Sequence, residues 1–221
     1  ITGSLSHLAI NFIKLYYTNF NTLVLIDSVS YCSNNKECLP ESDNIINIFE
    51  NINNINILEI LEENKIDIFL HCAASTHVDR SYTHYNEFIE NNIIAVHNIL
   101  ESIVKYNKLH KFIHISTDEI YGGHKTNKFN EISNFNPTNP YASSKASSEM
   151  IINSYVYSYK LPIIILRPNN LFGKYQYREK VIPKFIYKLL NNKPITIHGD
   201  GKQIRDFIYT EDVCRGIKFL I

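Results

Sequence analysis

Five side chains in two short stretches have the residue types of acid–base chemistry. Thr117, Asp118 and Glu119 stand together in I-S-T-D-E-I-Y (115–121), and Tyr141 and Lys145 stand four apart in N-P-Y-A-S-S-K (139–145). Two neighbouring carboxyls resist being ionised together, so one can stay protonated as an acid while the other serves as a base. A lysine one helical turn from a tyrosine shares its face, and the cation favours the phenolate. That predicts a Tyr141 lowered toward the working range of a general base. Each stretch also has a plainer reading. Ser, Thr and Asp cap helices, and Tyr/Lys at i, i+4 can be a surface pair. The Y-x-x-x-K spacing occurs at Tyr121/Lys125 as well as Tyr141/Lys145. Gly122-Gly123 after Tyr121 disfavours a helix, whereas Pro140 suits the first turn of one, so the second pair is the one expected to act.

The elements around these residues decide between the readings. L-V-L-I-D (23–27), I-D-I-F-L-H (66–71), K-F-I-H-I-S (111–116) and P-I-I-I-L-R (162–167) are short β-branched runs that predict strands buried on both faces. Helical patterns near 6–18, 54–64, 84–107 and 140–159 alternate with them. Alternation with short links implies right-handed crossovers and a doubly wound parallel sheet, in which ligands bind beyond the carboxyl ends of the strands. The acids at 118 and 119, Asp27, the segment 72–81 and Arg167 to Asn170 all follow strand ends. Four polar segments therefore converge on one rim, which a lone helix cap does not predict. The Asn/Ile-rich tract at 44–58 is expected to be folded, its compositional bias as such carrying no function. After 178 the pattern changes to a helix (179–192), a short strand I-T-I-H (195–198), the turn G-D-G before a second short strand, and a last helix from Thr210. This predicts one large nucleotide-binding domain, 1–177 with its first strand largely missing, and part of a smaller substrate-facing lobe, 178–221.

Bulk composition removes several function classes. The 221 residues, 44% hydrophobic, suffice for one real core. Lys plus Arg and Asp plus Glu are 22 each, so no net field attracts nucleic acid or an anionic membrane. Cys32, Cys38, Cys72 and Cys214 form no C-x-x-C pair and no cluster with histidine, which argues against zinc or a disulfide framework and suits a reducing, cytoplasmic setting. Apolar runs are too short to span a bilayer, and no secretory leader is seen. His7, His84, His97 and His110 show no ligand spacing.

S-T-D-E-I-Y-G, the downstream Y-x-x-x-K, A-A-S-T-H-V-D-R-S (73–81), R-P-N-N (167–170) and G-D-G-K-Q-I-R-D-F-I-Y-T-E-D (199–212) together resemble the nucleotide-sugar 4,6-dehydratases. These are extended short-chain dehydrogenase/reductases that act on dTDP-glucose or UDP-glucose. The resemblance implies a Rossmann-like α/β fold and NAD as cofactor. It implies that Tyr141 takes the O4 proton, that Lys145 holds the nicotinamide ribose, and that Thr117 bonds O4. Glu119 would remove the C5 proton and Asp118 would protonate the departing C6 hydroxyl. Gly3, Ser6, Asp27, Asn51, Ile52, Ala73 and Ala74 would line the cofactor, Asp27 against the adenosine ribose, where an acid favours NAD over NADP. Thr76, His77, Asn92, Asn169, Asn170, Lys180 and Arg205 would meet the nucleotide sugar, Arg205 gripping the diphosphate. A homodimer through the helices near 84–107 and 140–159 is expected from the same resemblance.

The first turn departs from the family's G-x-x-G-x-x-G. In I-T-G-S-L-S-H-L-A, Gly3 remains, but Ser6 and Ala9 take the second and third glycine positions. A Cβ at Ser6 is expected to crowd the phosphate. The ends suggest a piece of a longer chain. Two alternatives stay open: a related epimerase or N-acetyl-sugar dehydratase, which the adjacent acid pair separates, and a non-catalytic binding or dimerisation module that kept the fold.

Overall fold

The structure, a computed structural model, describes residues 1–123, 128–197 and 199–221. In chain order it contains α1 (His7–Tyr16), β1 (Leu23–Ile26), β2 (Ile45–Ile48), α2 (Ile57–Glu63), β3 (Ile68–His71), α3 (Val78–Ser81), α4 (Tyr85–Ile89), α5 (Ala95–Tyr106), β4 (Lys111–Ile115), α6 (Pro140–Tyr159), β5 (Ile163–Leu166), β6 (Asn170–Phe172), α7 (Val181–Leu190), β7 (Phe207–Tyr209) and α8 (Thr210–Leu220). β1 pairs parallel with β2, and β3, β4 and β5 pair parallel in that order. Thr2 joins the two parts by parallel bridges to Ile26 and His71. Its N–H donates to the Leu70 carbonyl at 3.0 Å, and its own carbonyl accepts from the Cys72 N–H at 3.1 Å. The order β2-β1-Thr2-β3-β4-β5 reverses direction between Thr2 and β3, the point at which a doubly wound sheet opens a crevice.

Period-two alternation sends neighbouring side chains to opposite faces of this sheet. Phe69 and Phe112 pack with Ile57 and Leu61 of α2, Ile99 and Ile103 of α5, and Ile152 of α6. Leu70 and Ile113, each one residue on, pack with Leu8 and Phe12 of α1 and with Val213 and Ile217 of α8. Helices thus cover both faces, and the four β-branched runs form strands where expected.

Three features differ from the sequence reading. β2 lies inside the Asn/Ile tract. It is an edge strand whose residues are half-buried or exposed, and asparagine has little strand preference of its own, so β1 supplies its order. Residues 195–197 form no strand, and His198 of the expected I-T-I-H lies outside the described residues. β7 instead pairs parallel with β6, where Phe172 meets the rings of Phe207 and Tyr209. The helix expected at 84–107 is a continuous helical run whose middle, Glu90–Ile94, is π-wound. The insertion turns Asn92 inward, to 1% exposure.

Candidate active site

Thr117 has the capping role that its sequence allowed. It is the N-cap of a 3₁₀ turn, Asp118–Tyr121, and its hydroxyl accepts from the Glu119 N–H at 3.3 Å. The turn ends at Gly122 with φ +73, where a Cβ would lie 2.2 Å from the Asn136 carbonyl oxygen. The cap holds both acids at the carboxyl end of β4. Asn139 then ties them to α6. Its Oδ1 caps that helix by accepting from Ala142 N–H at 2.8 Å, while its Nδ2 donates to Glu119 Oε2 at 3.0 Å. Tyr141 is two residues on, and Lys145 follows one turn later. Thr117, Asp118, Glu119, Tyr141 and Lys145 all line one cleft of about 360 Å³. The rival pair falls away: Tyr121 receives a hydrogen bond from Arg167 Nη1 at 2.6 Å, and Lys125 lies outside the described residues.

The electrostatics differ from the expected tyrosine–lysine coupling. Lys145 is 2% exposed and does not bond Tyr141. Its ammonium donates to the Ile115 carbonyl at 2.8 Å and to His114 Nε2 at 3.1 Å. Burial brings its pKa down to about 8, opposed by Glu149 and Cys72. Burial raises the Tyr141 pKa above the ordinary phenol value, and the Glu119 carboxylate adds to this, while a hydrogen bond with Thr117 favours the phenolate. Asp118 is raised by burial first and by Glu119 second. Both causes favour the protonated form of Asp118, with burial as the larger.

Beside these groups the cleft has the features of a dinucleotide cradle. Gly3 has φ +65, and a Cβ there would lie 2.6 Å from Ala73 N, so this glycine serves the close approach of two backbone segments. Ser6 is unstrained at φ −74 and is the N-cap of α1, with its hydroxyl accepting from Ala9 N–H at 3.4 Å. Asp27 accepts from Leu5 N–H, Val29 N–H and the Ser33 hydroxyl at 2.8–3.0 Å, which leaves about one of a carboxylate's four acceptor positions for a ligand. Ser116, missed in the sequence reading, lines the cleft with a buried hydroxyl that has no partner. Its signal was a hydroxyl directly before the acid-bearing turn. An orphaned hydroxyl, a helix N-terminus and a partly free carboxylate along one wall fit a dinucleotide. Asn51, Ile52, Ala73 and Ala74 line the same wall.

Thr76, His77, Asn169, Asn170 and Lys180 also line the cleft. Lys180 Nζ donates to the Thr76 carbonyl at 3.0 Å, and His77 Nδ1 lies 3.2 Å from Glu179. Glu179 also receives a hydrogen bond from Tyr31, a second contact that no local motif signalled. Three of the expected side chains stand outside the cleft lining. Asn92 does not face the cleft. Its amide is used on the Ser75 N–H, the Ser75 carbonyl and the Ser144 hydroxyl, so it fixes the wall from behind. Arg205 is exposed and donates to the adjacent Ile204 carbonyl at 2.8 Å, outside the cleft lining. Arg167 turns away from the rim into an ion pair with buried Glu149 at 2.6 Å.

Comparison with known proteins places this geometry. A profile of the NAD dependent epimerase/dehydratase family matches residues 13–221. A dTDP-D-glucose 4,6-dehydratase of Dictyostelium discoideum is 44% identical over 98% of this chain and 52% of its own length. The chain thus spans about half of that relative. A dTDP-glucose 4,6-dehydratase of Streptomyces venezuelae, solved with NAD, superposes with a TM-score of 0.91 at 29% identity, over 99% of this chain and 70% of its own. A UDP-glucuronic acid 4-epimerase of Bacillus cereus, solved with UDP-glucuronic acid and NAD, gives 0.91 at 31% identity, over 98% and 70%. With the sheet order, the crevice and the acid pair in place, the chain belongs to the NAD dependent epimerase/dehydratase family.

Proposed function

We propose that the protein removes water from a nucleoside-diphosphate glucose, dTDP- or UDP-linked, to give the 4-keto-6-deoxy sugar. The observation that carries this reading is the Asn139 bridge, which brings Glu119 to the turn that bears Tyr141. A base for a carbon acid and a base for a hydroxyl then reach one ligand. NAD would be held along the Gly3–Asp27–Ala73 side of the cleft and, when bound, would supply the acceptor and donor of hydride for C4 and C6. Tyr141 takes the O4 proton as its phenolate, a form that the hydrogen bond with Thr117 favours and burial opposes, with the Thr117 hydroxyl bonding the same oxygen. Glu119 removes the C5 proton, made acidic by the 4-keto group. Asp118, whose protonated form burial and next Glu119 favour, gives its proton to the departing C6 hydroxyl. Thr76, His77, Asn169, Asn170 and Lys180 bind the nucleotide sugar, and Arg205 swings in from its exposed position to grip the diphosphate.

Several finer points belong to the same reading. The division at 177/178 into a cofactor domain and a partial substrate lobe is one. A homodimer through the α4–α5 run and α6 is another, supported by exposed Ile94, Met150 and Tyr157 on those helices. A cytoplasmic site agrees with four free cysteines, and no helix among the described residues is long and apolar enough to cross a membrane. Incubation with dTDP-glucose and with UDP-glucose is expected to yield a 4-keto sugar absorbing in alkali. A folded, NAD-loaded protein that converts neither refutes the proposal. The equal superposition on a 4-epimerase keeps that reaction as the rival, and the pair Asp118–Glu119 separates them. Calorimetry of NAD binding tests the non-catalytic alternative, which Ser6 and Ala9 in place of the family's glycines motivate.

A further inference from the structure

Directly beneath the catalytic rim, two histidines face each other across the sheet. His71 of β3 and His114 of β4 are register partners, with rings stacked 5.3 Å apart at 27°. Both are fully buried. Burial, and next the charge of Lys145, hold both neutral: His71 titrates only at about 3, and His114 lies well below its ordinary value. His71 Nδ1 meets the Thr2 hydroxyl at 2.7 Å. His114 Nε2 lies 3.1 Å from Lys145 Nζ.

An ammonium only donates, so His114 Nε2 accepts and the ring proton sits on Nδ1. That Nδ1 is buried with no hydrogen-bond partner. An apolar ring would fill the same place without an unsatisfied donor, so packing alone does not account for the imidazole. What it adds is a second acceptor for Lys145 beside the Ile115 carbonyl. Two fixed bonds leave one of three ammonium protons for the cleft that Lys145 lines.

We propose that His114 is a positioning residue: as the neutral Nδ1–H tautomer it accepts a hydrogen bond from Lys145, keeps that side chain charged, and aims its remaining N–H at the ligand. The titratable and charged groups around Lys145 are Tyr141 and Glu149 on its own helix, Cys72 and His71 from β3, and His114 from β4. Glu149 is already paired with Arg167, and burial keeps the Cys72 thiol protonated up to about 12. His114 is thus the side-chain acceptor within hydrogen-bond distance of the ammonium. Loss of it lets burial act further, so Lys145 deprotonates at lower pH. Only the kinetic arm of the test rests on the reaction proposed above.

Two readouts need no turnover. Side-chain ¹⁵N spectra of the wild-type protein are expected to show His114 protonated on Nδ1 alone; a proton on Nε2 overturns the proposal. The Lys145 titration, followed at Cε, is expected to fall by about one pKa unit in His114→Phe and to recover in His114→Gln, whose amide oxygen can stand near Nε2. In the kinetic arm, kcat of His114→Phe above the Lys145 pKa falls about tenfold, the factor that one unit represents, with KM within about twofold. The alkaline limb moves to lower pH by the same unit, and Gln restores it. An unchanged Lys145 titration in a folded Phe variant, or a Gln variant that behaves like Phe, overturns the proposal. If Phe does not fold, the wild-type tautomer and the Gln titration decide. A wild type that binds NAD but turns over no sugar refutes the proposed reaction and leaves the two spectroscopic arms standing.

Discussion

The acid-bearing wall of the cleft and the exposed region of α7 and Arg205 are built by different means. On the first every candidate group is held by a cap or by burial: Thr117 closes a turn, Asn139 caps α6 while holding Glu119, and Lys145 has two fixed acceptors. In the second, α7 has no buried residue, Leu189 and Leu190 are exposed, and exposed Arg205 donates to the Ile204 carbonyl. α8, which follows, returns to the core through Val213 and Ile217. Chemistry that tolerates little displacement is best served by the first, a rigid wall where geometry is set before a ligand arrives.

The largest effects therefore belong to the rigid wall. Tyr141→Phe is expected to lower turnover about 10²- to 10⁴-fold, the range for loss of a positioned acid or base, with little change in KM. Changing both Asp118→Asn and Glu119→Gln is expected to stop water loss yet leave C4 oxidation, read as absorbance of reduced nicotinamide without alkali-absorbing product. Unchanged product would favour the epimerase rival. Gly3→Ala forces a side chain into the left-handed region against the Ala73 backbone, and should cost about 2 kcal/mol or more of stability in denaturant titration.

The exposed region gives a smaller effect of a different kind. Arg205→Ala should raise KM about tenfold, the scale of one charge-assisted hydrogen bond, with kcat within about threefold. A loss in kcat instead would place Arg205 with the catalytic groups and break the contrast. Asn139→Ala sits at the join. Loss of the α6 cap should cost ~1 kcal/mol and lower the melting midpoint by ~2–4 °C, with a fall in kcat from the freed Glu119 that a cap alone would not cause.

The same contrast explains what the sequence revealed. The positions of Thr117, Asp118, Glu119, Tyr141 and Lys145 in one cleft were legible because they follow from local rules. Asn139-Pro140 announces a helix start, Gly122 ends the turn after the acids, and β-branched runs mark the strands that aim both. The direction of the Tyr141 shift was not legible. The i, i+4 spacing puts Lys145 on the right face but does not reveal His114 and the Ile115 carbonyl, which come from another strand and take its protons. Asn92 was misplaced because a π-turn rotates it by an insertion that periodicity does not mark. β2 and residues 195–197 differed from the sequence reading for a shared reason. Strand order at an edge depends on the partner, and the partner of β7 proved to be β6, distant in sequence. At Ser6 the extended backbone and the cap show an unstrained serine, while the expected crowding of a phosphate by its Cβ is a matter for NAD calorimetry.

The central claim is that Tyr141, Asp118 and Glu119 act on one hexose ring. It is tested most directly with nucleotide-linked glucose carrying deuterium at C4, with products read by NMR and mass. The account predicts a sugar lighter by one water, with the deuterium moved to C6 and a solvent proton at C5. A product that keeps its water and its label at C4, from folded protein with NAD bound, would contradict it.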